Sequence, residues 1–131
     1  MFKQFIIFLA VSLMMSGCQQ MGGPLKYSIA IKNGTVQPVD KTDVRFAKFS
    51  SGGGCLCPGI KKTYELVPYP IPEKATVFWQ SADGKSYEKV VDVLKNLPKG
   101  FNEGDIIFTI LEDEKVIVTN NPYLKLPKNW R

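Results

Sequence analysis

The sequence contains no histidine among its 131 residues. Histidine is the usual base of serine and cysteine hydrolases and the commonest zinc ligand, so those sites are not expected. Gly84-Lys85-Ser86 imitates the end of a phosphate-binding loop, but Trp79 occupies the position of that motif's first glycine. Glu112-Asp113-Glu114 lacks the alternating oxygen ligands of a calcium loop and indicates a solvated hairpin tip. The sequence therefore predicts no enzyme, no catalytic residue, no metal site and no cofactor.

The sequence also has no apolar run long enough for a membrane-spanning helix, which needs about 20 residues. Its N-terminus has the three parts of an export signal: Lys3, the apolar run Phe5–Leu13, and the small residues Ser16-Gly17. Cys18 follows them directly. This arrangement resembles the lipobox of bacterial lipoproteins, with Met15 where leucine is commonest. The alternative is ordinary signal peptidase cleavage that leaves Cys18 as a plain thiol.

The lipobox resemblance implies that residues 1–17 form a signal peptide and that Cys18 is lipidated. Acyl chains on Cys18 would hold the protein on a bilayer, since stable anchoring takes at least two chains. Residues 18–24 are then a tether, and residues 25–131 a single periplasmic domain. Gln19 replaces the aspartate that commonly retains lipoproteins at the inner membrane. We therefore expect outer-membrane attachment facing the periplasm, with the inner membrane as the less favoured location.

Basic residues exceed acidic ones only modestly, 17 to 12, and they are spread along the chain. A nucleic-acid-binding protein would concentrate lysine and arginine on one element, whereas Lys61-Lys62 is the single adjacent pair here. No nucleic-acid partner is expected. The excess positive charge indicates either contact with an acidic protein or lipid surface, or an ordinary solvated face.

Alternating and β-branched apolar residues predict short strands separated by glycine and proline. Proline confines the stretch from Pro68 to Pro72 to an edge or an extended crossover. Residues 87–97 are ambiguous, because their apolar spacing also suits a helical face. The pattern predicts an all-β fold, an antiparallel sandwich of about seven strands. Predicted strands cover residues 25–32, 43–49, 63–67, 74–80, 87–93, 105–111 and 115–119, and Asn33-Gly34 is interpreted as the turn after the first.

Cys55 and Cys57 follow three glycines and are separated by Leu56. Cysteines two apart on a regular strand lie near the upper limit of disulfide reach, although a glycine-rich bend can bring them together. Three interpretations stay open: a strained Cys55–Cys57 disulfide, two structural free thiols, or a metal or redox role. A complete metal site within one chain is not expected, because the mature chain offers only Met21 as a further soft ligand.

Five features of the mature chain occur together: a glycine run entering a cysteine pair, the proline-rich crossover, the segment Pro72–Trp79, Leu97-Pro98, and a final apolar hairpin near Asn120-Asn121-Pro122. In this combination the chain is similar to small bacterial lipoprotein families of unknown function. In those families the cysteines are often adjacent. The resemblance covers most of the mature chain. It carries over no functional residue.

Some members of those families are immunity proteins to phospholipase effectors of the type VI secretion system. The resemblance therefore implies a lipid-anchored protein that binds an envelope-targeting toxin and covers its active site. Exposed aromatic residues are candidate anchors for such a partner, namely Tyr69, Tyr123 and Trp130. The alternative is an envelope structural or assembly lipoprotein with a housekeeping protein partner.

Replacing Cys18 with serine is expected to abolish lipidation, because the serine hydroxyl cannot form the thioether that holds the acyl groups. Radiolabelled palmitate should label the wild-type protein in growing cells and leave the variant unlabelled. Label in the Cys18→Ser protein would show that the anchor is elsewhere.

Overall fold

The computed structural model describes residues 26–64 and 67–122, and these residues are almost entirely β-structure. A short 3₁₀ turn at Leu94–Asn96 separates the sixth and seventh strands. Within the described part no helix is long and apolar enough to cross a membrane. The all-β prediction is confirmed. The strands are β1 (Lys26–Asn33), β2 (Asp40–Phe46), β3 (Phe49–Ser50), β4 (Lys61–Tyr64), β5 (Lys74–Gln80), β6 (Ser86–Asp92), β7 (Glu103–Leu111) and β8 (Lys115–Asn121).

The strands form two four-stranded sheets, with the orders β4-β1-β7-β8 and β3-β2-β5-β6. Apolar side chains from the inner faces of both sheets form one core. This arrangement is the predicted sandwich, with eight strands. Its largest fully buried apolar side chains are Tyr27, Ile29, Ile31, Val44, Val77, Val93, Ile106, Phe108 and Ile110.

One strand pair departs from the antiparallel pattern. β1 and β7 run parallel, with Ile29 opposite Ile106, whereas every other strand pair in the described residues is antiparallel. Parallel neighbours need a long connection between them. Here that connection is most of the domain, because β2 to β6 lie between β1 and β7 in the sequence. Local sequence patterns carry no signal for such a pairing.

The remaining differences from prediction concern strand ends. The predicted strand 43–49 is divided by a tight turn at Ala47-Lys48, where Ala47 has a φ of 48°. The predicted strand 63–67 is β4, which begins at Lys61, and residues 65 and 66 lie outside the described residues. The ambiguous segment is a strand over Ser86–Asp92, since all seven residues pair with β5.

The proline-rich segment crosses from one sheet to the other, as predicted, because it joins β4 to β5. It is fastened to the core by Tyr27, whose hydroxyl donates a hydrogen bond of 2.5 Å to the backbone oxygen of Tyr69. Burial of the Tyr27 side chain raises the pKa of its hydroxyl to about 12. The Tyr27 ring is inaccessible to solvent, so this crossover covers the core as well as connecting the sheets.

A buried carboxylate, Asp43, organises the start of the glycine-rich loop. It accepts hydrogen bonds from Arg45 Nε at 2.6 Å, Ser50 Oγ at 3.0 Å, Ser51 Oγ at 3.1 Å and the backbone N–H of Gly52 at 3.0 Å. Burial alone would raise the pKa of Asp43, but these donors outweigh it and the pKa is lowered. The ionised side chain therefore stabilises the folded state.

Asp43→Asn is expected to lower the free energy of unfolding at neutral pH by about 1–3 kcal/mol, because an amide cannot accept all four hydrogen bonds. The native pKa lies below the unfolded value of about 3.9, so the carboxylate's contribution is complete above that pH. It is lost as pH falls through the native pKa. Urea unfolding between pH 7 and pH 2 should therefore show the wild-type and variant stabilities converging in acid.

Asp113→Asn, a change at an exposed hairpin tip, is the matched control and should alter stability at neutral pH by less than about 0.5 kcal/mol. Equal stability of wild-type protein and Asp43→Asn at pH 7 would contradict the role assigned to Asp43.

Candidate binding groove at one end of the sandwich

A groove of about 550 Å³ lies where three chain connections meet at one end of the sandwich. We call it the loop-end groove. Its lining comes from residues 35 and 37–39 of the β1–β2 connection, residues 79, 81–83 and 87 of the β5–β6 hairpin, and residues 111–114 of the β7–β8 hairpin. Both sheets therefore contribute to it, and its shape depends on how the sheets are joined.

Two stacked aromatic rings form much of the apolar part of the groove, beside the aliphatic side chains of Pro38, Val39 and Leu111. Trp79 and Tyr87 are opposite each other in the β5–β6 register, with ring centroids 5.3 Å apart and planes 22° apart. Trp79 is 5% exposed, as predicted for a core residue, while Tyr87 is half-buried. Aromatic stacking of this kind holds both rings in place, so the groove has a rigid apolar surface.

One wall is the β1–β2 connection, which is held by the fully buried side chain of Asn33. Asn33 Oδ1 accepts a hydrogen bond from the Thr35 backbone N–H at 2.9 Å, and Asn33 Nδ2 donates to the Gln37 oxygen at 2.8 Å. The Gly34 N–H donates to the Ile110 oxygen at 2.7 Å. β1 ends at the predicted turn pair Asn33-Gly34, and the chain bends there and crosses to the other sheet.

A second wall is the β7–β8 hairpin, whose tip is the predicted Glu112-Asp113-Glu114. Glu112 Oε1 accepts a hydrogen bond of 2.9 Å from the Val36 backbone N–H, which links this hairpin to the β1–β2 connection. Asp113 and Glu114 are exposed and adopt left-handed φ values of 61° and 59°. Both of their carboxylates therefore remain available to solvent at the rim.

The β5–β6 hairpin adds a further carboxylate, Asp83, to the rim. The Ser81 hydroxyl and the Lys85 backbone N–H both donate to Asp83 Oδ1. The hydrogen bond from Ser81 is the main reason that the pKa of Asp83 is lowered, and the bond from Lys85 acts in the same direction. The rim of the groove is thus acidic, although the chain carries a net charge of +5.

The groove brings together aromatic, aliphatic and carboxylate groups, and none of its described lining residues is a lysine, arginine or cysteine. Across residues 26–64 and 67–122, no group of three or more cysteine, aspartate or glutamate side chains is placed to hold a metal ion. An apolar surface rimmed by a few charged groups is the usual composition of a recognition site. This arrangement can bind a partner that presents apolar and cationic groups together.

The predicted site residues lie elsewhere. Cys55 and Cys57 are exposed and not bonded to each other, and they flank the buried Leu56. Tyr69 is half-buried and packs edge-on against Phe49, with centroids 6.4 Å apart. It is thus less exposed than expected, and its role as a partner anchor stays a prediction. Cys18, Tyr123 and Trp130 lie outside the described residues.

No protein-family model matches this chain, and no curated protein matches it. Among solved structures, it is similar to the NMR structure of a protein from Eubacterium rectale, with a TM-score of 0.52 and 13% sequence identity. The match covers 79% of this chain and 95% of that chain. At this identity the likeness supports the fold alone.

Gly34→Ala is expected to destabilise the protein by about 1–3 kcal/mol, since an added Cβ would lie 2.9 Å from the Ile110 oxygen. That oxygen belongs to the backbone of β7, and a paired strand cannot move aside as the end of a flexible side chain can. Thermal unfolding followed by circular dichroism would measure the effect.

Gly53→Ala is the matched control, because a Cβ there would meet nothing closer than Lys41 Cα at 3.8 Å. It should leave stability unchanged or raise it by up to about 1 kcal/mol. Similar losses in Gly34→Ala and Gly53→Ala would show that close approach at Gly34 is not the cause.

Proposed function

We propose that this protein is a lipid-anchored, periplasm-facing binding protein, an immunity protein that neutralises an envelope-targeting toxin such as a type VI lipase effector. It would act by steric occlusion, with the loop-end groove and its rim as the contact surface. The observation that carries this proposal is the loop-end groove itself. Binding residues are commonly found on loops held by a rigid scaffold, and three connections meet here.

The direction of β1 supports the assignment of the loop-end groove as the contact surface. β1 begins at Lys26, eight residues after Cys18, and ends at Asn33 beside the groove. Eight residues of strand span roughly 26 Å. A tether from Cys18 would therefore join the domain at the end opposite the groove. The attachment point would then leave the groove free to contact a toxin.

The composition of the groove supports binding over turnover. Its aromatic rings offer a buried anchor site of the kind that dominates protein interfaces. Asp113 and Glu114 offer exposed charge, which speeds association with a cationic surface. The chain has no histidine to act as a general base. Protection by such a protein should follow the molar ratio of inhibitor to toxin, because each bound copy is consumed.

Ala82→Trp tests the contact surface, because it adds bulk to an exposed residue of the lining without removing a contact. It should weaken binding to the proposed toxin partner by about tenfold or more, which corresponds to about 1.4 kcal/mol. Lys48→Trp is the matched control, since Lys48 is exposed in the β2–β3 turn at the other end of the sandwich. Calorimetric titration would compare the two variants.

The cellular test is a deletion strain challenged by its toxin-carrying parent. The deletion strain should be killed, and it should be rescued by the wild-type protein and by Lys48→Trp, but poorly by Ala82→Trp. A deletion strain that competes equally well, with no neighbouring effector bound by the purified protein, would exclude immunity. It would leave the alternative of an envelope structural or assembly lipoprotein.

A further inference from the structure

The segment Cys55-Leu56-Cys57 is held firmly against the start of β2. Leu56 and Val39 exchange two backbone hydrogen bonds, of 3.0 Å from the Val39 N–H and 2.8 Å from the Leu56 N–H. The Leu56 oxygen also accepts a hydrogen bond of 2.9 Å from Asn33 Nδ2. The Leu56 side chain is 2% exposed and belongs to the core. This residue is therefore fixed in an extended, ladder-like position.

The anchored position of Leu56 sets the direction of the two thiols. Side chains alternate between the two faces of an extended segment, so Cys55 and Cys57 both point away from the core, and both are exposed. At a rise of about 3.2–3.4 Å per residue, their Cα atoms are about 6.4–6.8 Å apart. This Cα separation is at the upper end of the range of about 4.4–6.8 Å found in disulfides. Because the two side chains point the same way, their Cβ atoms are also about 6.4–6.8 Å apart, well beyond the 3.5–4.5 Å or so that a disulfide needs. A relaxed Cys55–Cys57 disulfide would therefore require Leu56 to leave its position.

An ion bridging the two sulfurs fits this spacing better. Thiolate–metal bonds of about 2.3 Å place two sulfurs up to about 4.6 Å apart, more than twice the disulfide bond length of about 2.05 Å. Closed zinc sites need four ligands, and the described residues bring no third cysteine or carboxylate to this pair. Soft thiolate ligands select monovalent copper, which accepts linear coordination by two sulfurs.

We propose that Cys55 and Cys57 form a surface site for a soft monovalent metal ion, with copper(I) as the cation. Each thiol loses its proton and each sulfur donates an electron pair to the ion, so one copper(I) and two thiols give a dithiolate complex of charge −1 and two released protons. No electron is transferred.

The test uses the full chain with Cys18→Ser as the reference, so that Cys55 and Cys57 are the only thiols. Copper(I) buffered by a colorimetric chelator would be titrated without oxygen. The reference protein should bind one copper per chain. Adding Cys55→Ser or Cys57→Ser should weaken binding by more than about a hundredfold, beyond the usual effect of losing a supporting contact. Both cysteines are exposed, so thermal unfolding should confirm that the serine variants stay folded.

Leu56→Gly tests the geometry, because it retains both thiols and removes the side chain that anchors them. It should weaken copper binding by about tenfold, as the loss of supporting groups around metal ligands does. The proposal would be overturned if the cysteine variants bound copper(I) as tightly as the reference protein. It would also be overturned if the reference protein bound one copper per two chains. Oxidised glutathione should not produce an internal disulfide in the reference protein. If mass spectrometry shows that both thiol hydrogens are lost, the two cysteines are closer than the proposal requires, and the proposal is overturned.

Discussion

The buried side-chain amide of Asn33 supports both features to which we assign binding. Its oxygen and nitrogen hold the β1–β2 connection through Thr35 and Gln37, and its nitrogen also reaches the Leu56 oxygen. Its own backbone N–H and oxygen pair with Ile60 and Gly59. Removing a buried partner costs about 1–3 kcal/mol for each group left unsatisfied. The groove wall and the cysteine segment therefore share one polar support at the end of β1.

The sequence predicts individual strands well where the information is local. In β5, buried side chains alternate with partly buried ones. The same period of two places Tyr27, Ile29 and Ile31 on one face of β1, although Ser28 and Ala30 on its other face are buried as well. Apart from strands joined by a hairpin, the sequence cannot predict which strands become neighbours. The parallel β1–β7 pair depends on contacts such as Gly34 to Ile110, which lie far apart in the chain. Asn33-Gly34 correctly marks the end of β1, but nothing local shows that the chain then crosses to the other sheet.

The groove was harder to predict than the strands because its residues are brought together by the register of paired strands. Trp79 is recognisable as a core residue, but its stacking on Tyr87 follows from the cross-strand pairing of β5 and β6. Glu112 is recognisable as part of a hairpin tip, but its bond to the Val36 N–H follows from the crossover of β1 to the other sheet. No local pattern in the sequence brings these residues together, so a motif search passes over them.

The backbone conformation at the rim of the groove also bears on what the groove binds. Tight hairpin turns with left-handed residues favour glycine or asparagine, because other side chains cost roughly 1–2 kcal/mol in that conformation. This chain has Asp113 and Glu114 there. A glycine at position 114 would relieve the strain but remove a carboxylate from the rim. Lys41 and Ala47, outside the groove, are left-handed too, so strain alone does not mark a binding site. What distinguishes the rim is that its strained residues are exposed carboxylates on a chain of net charge +5, which supports the proposed cationic partner.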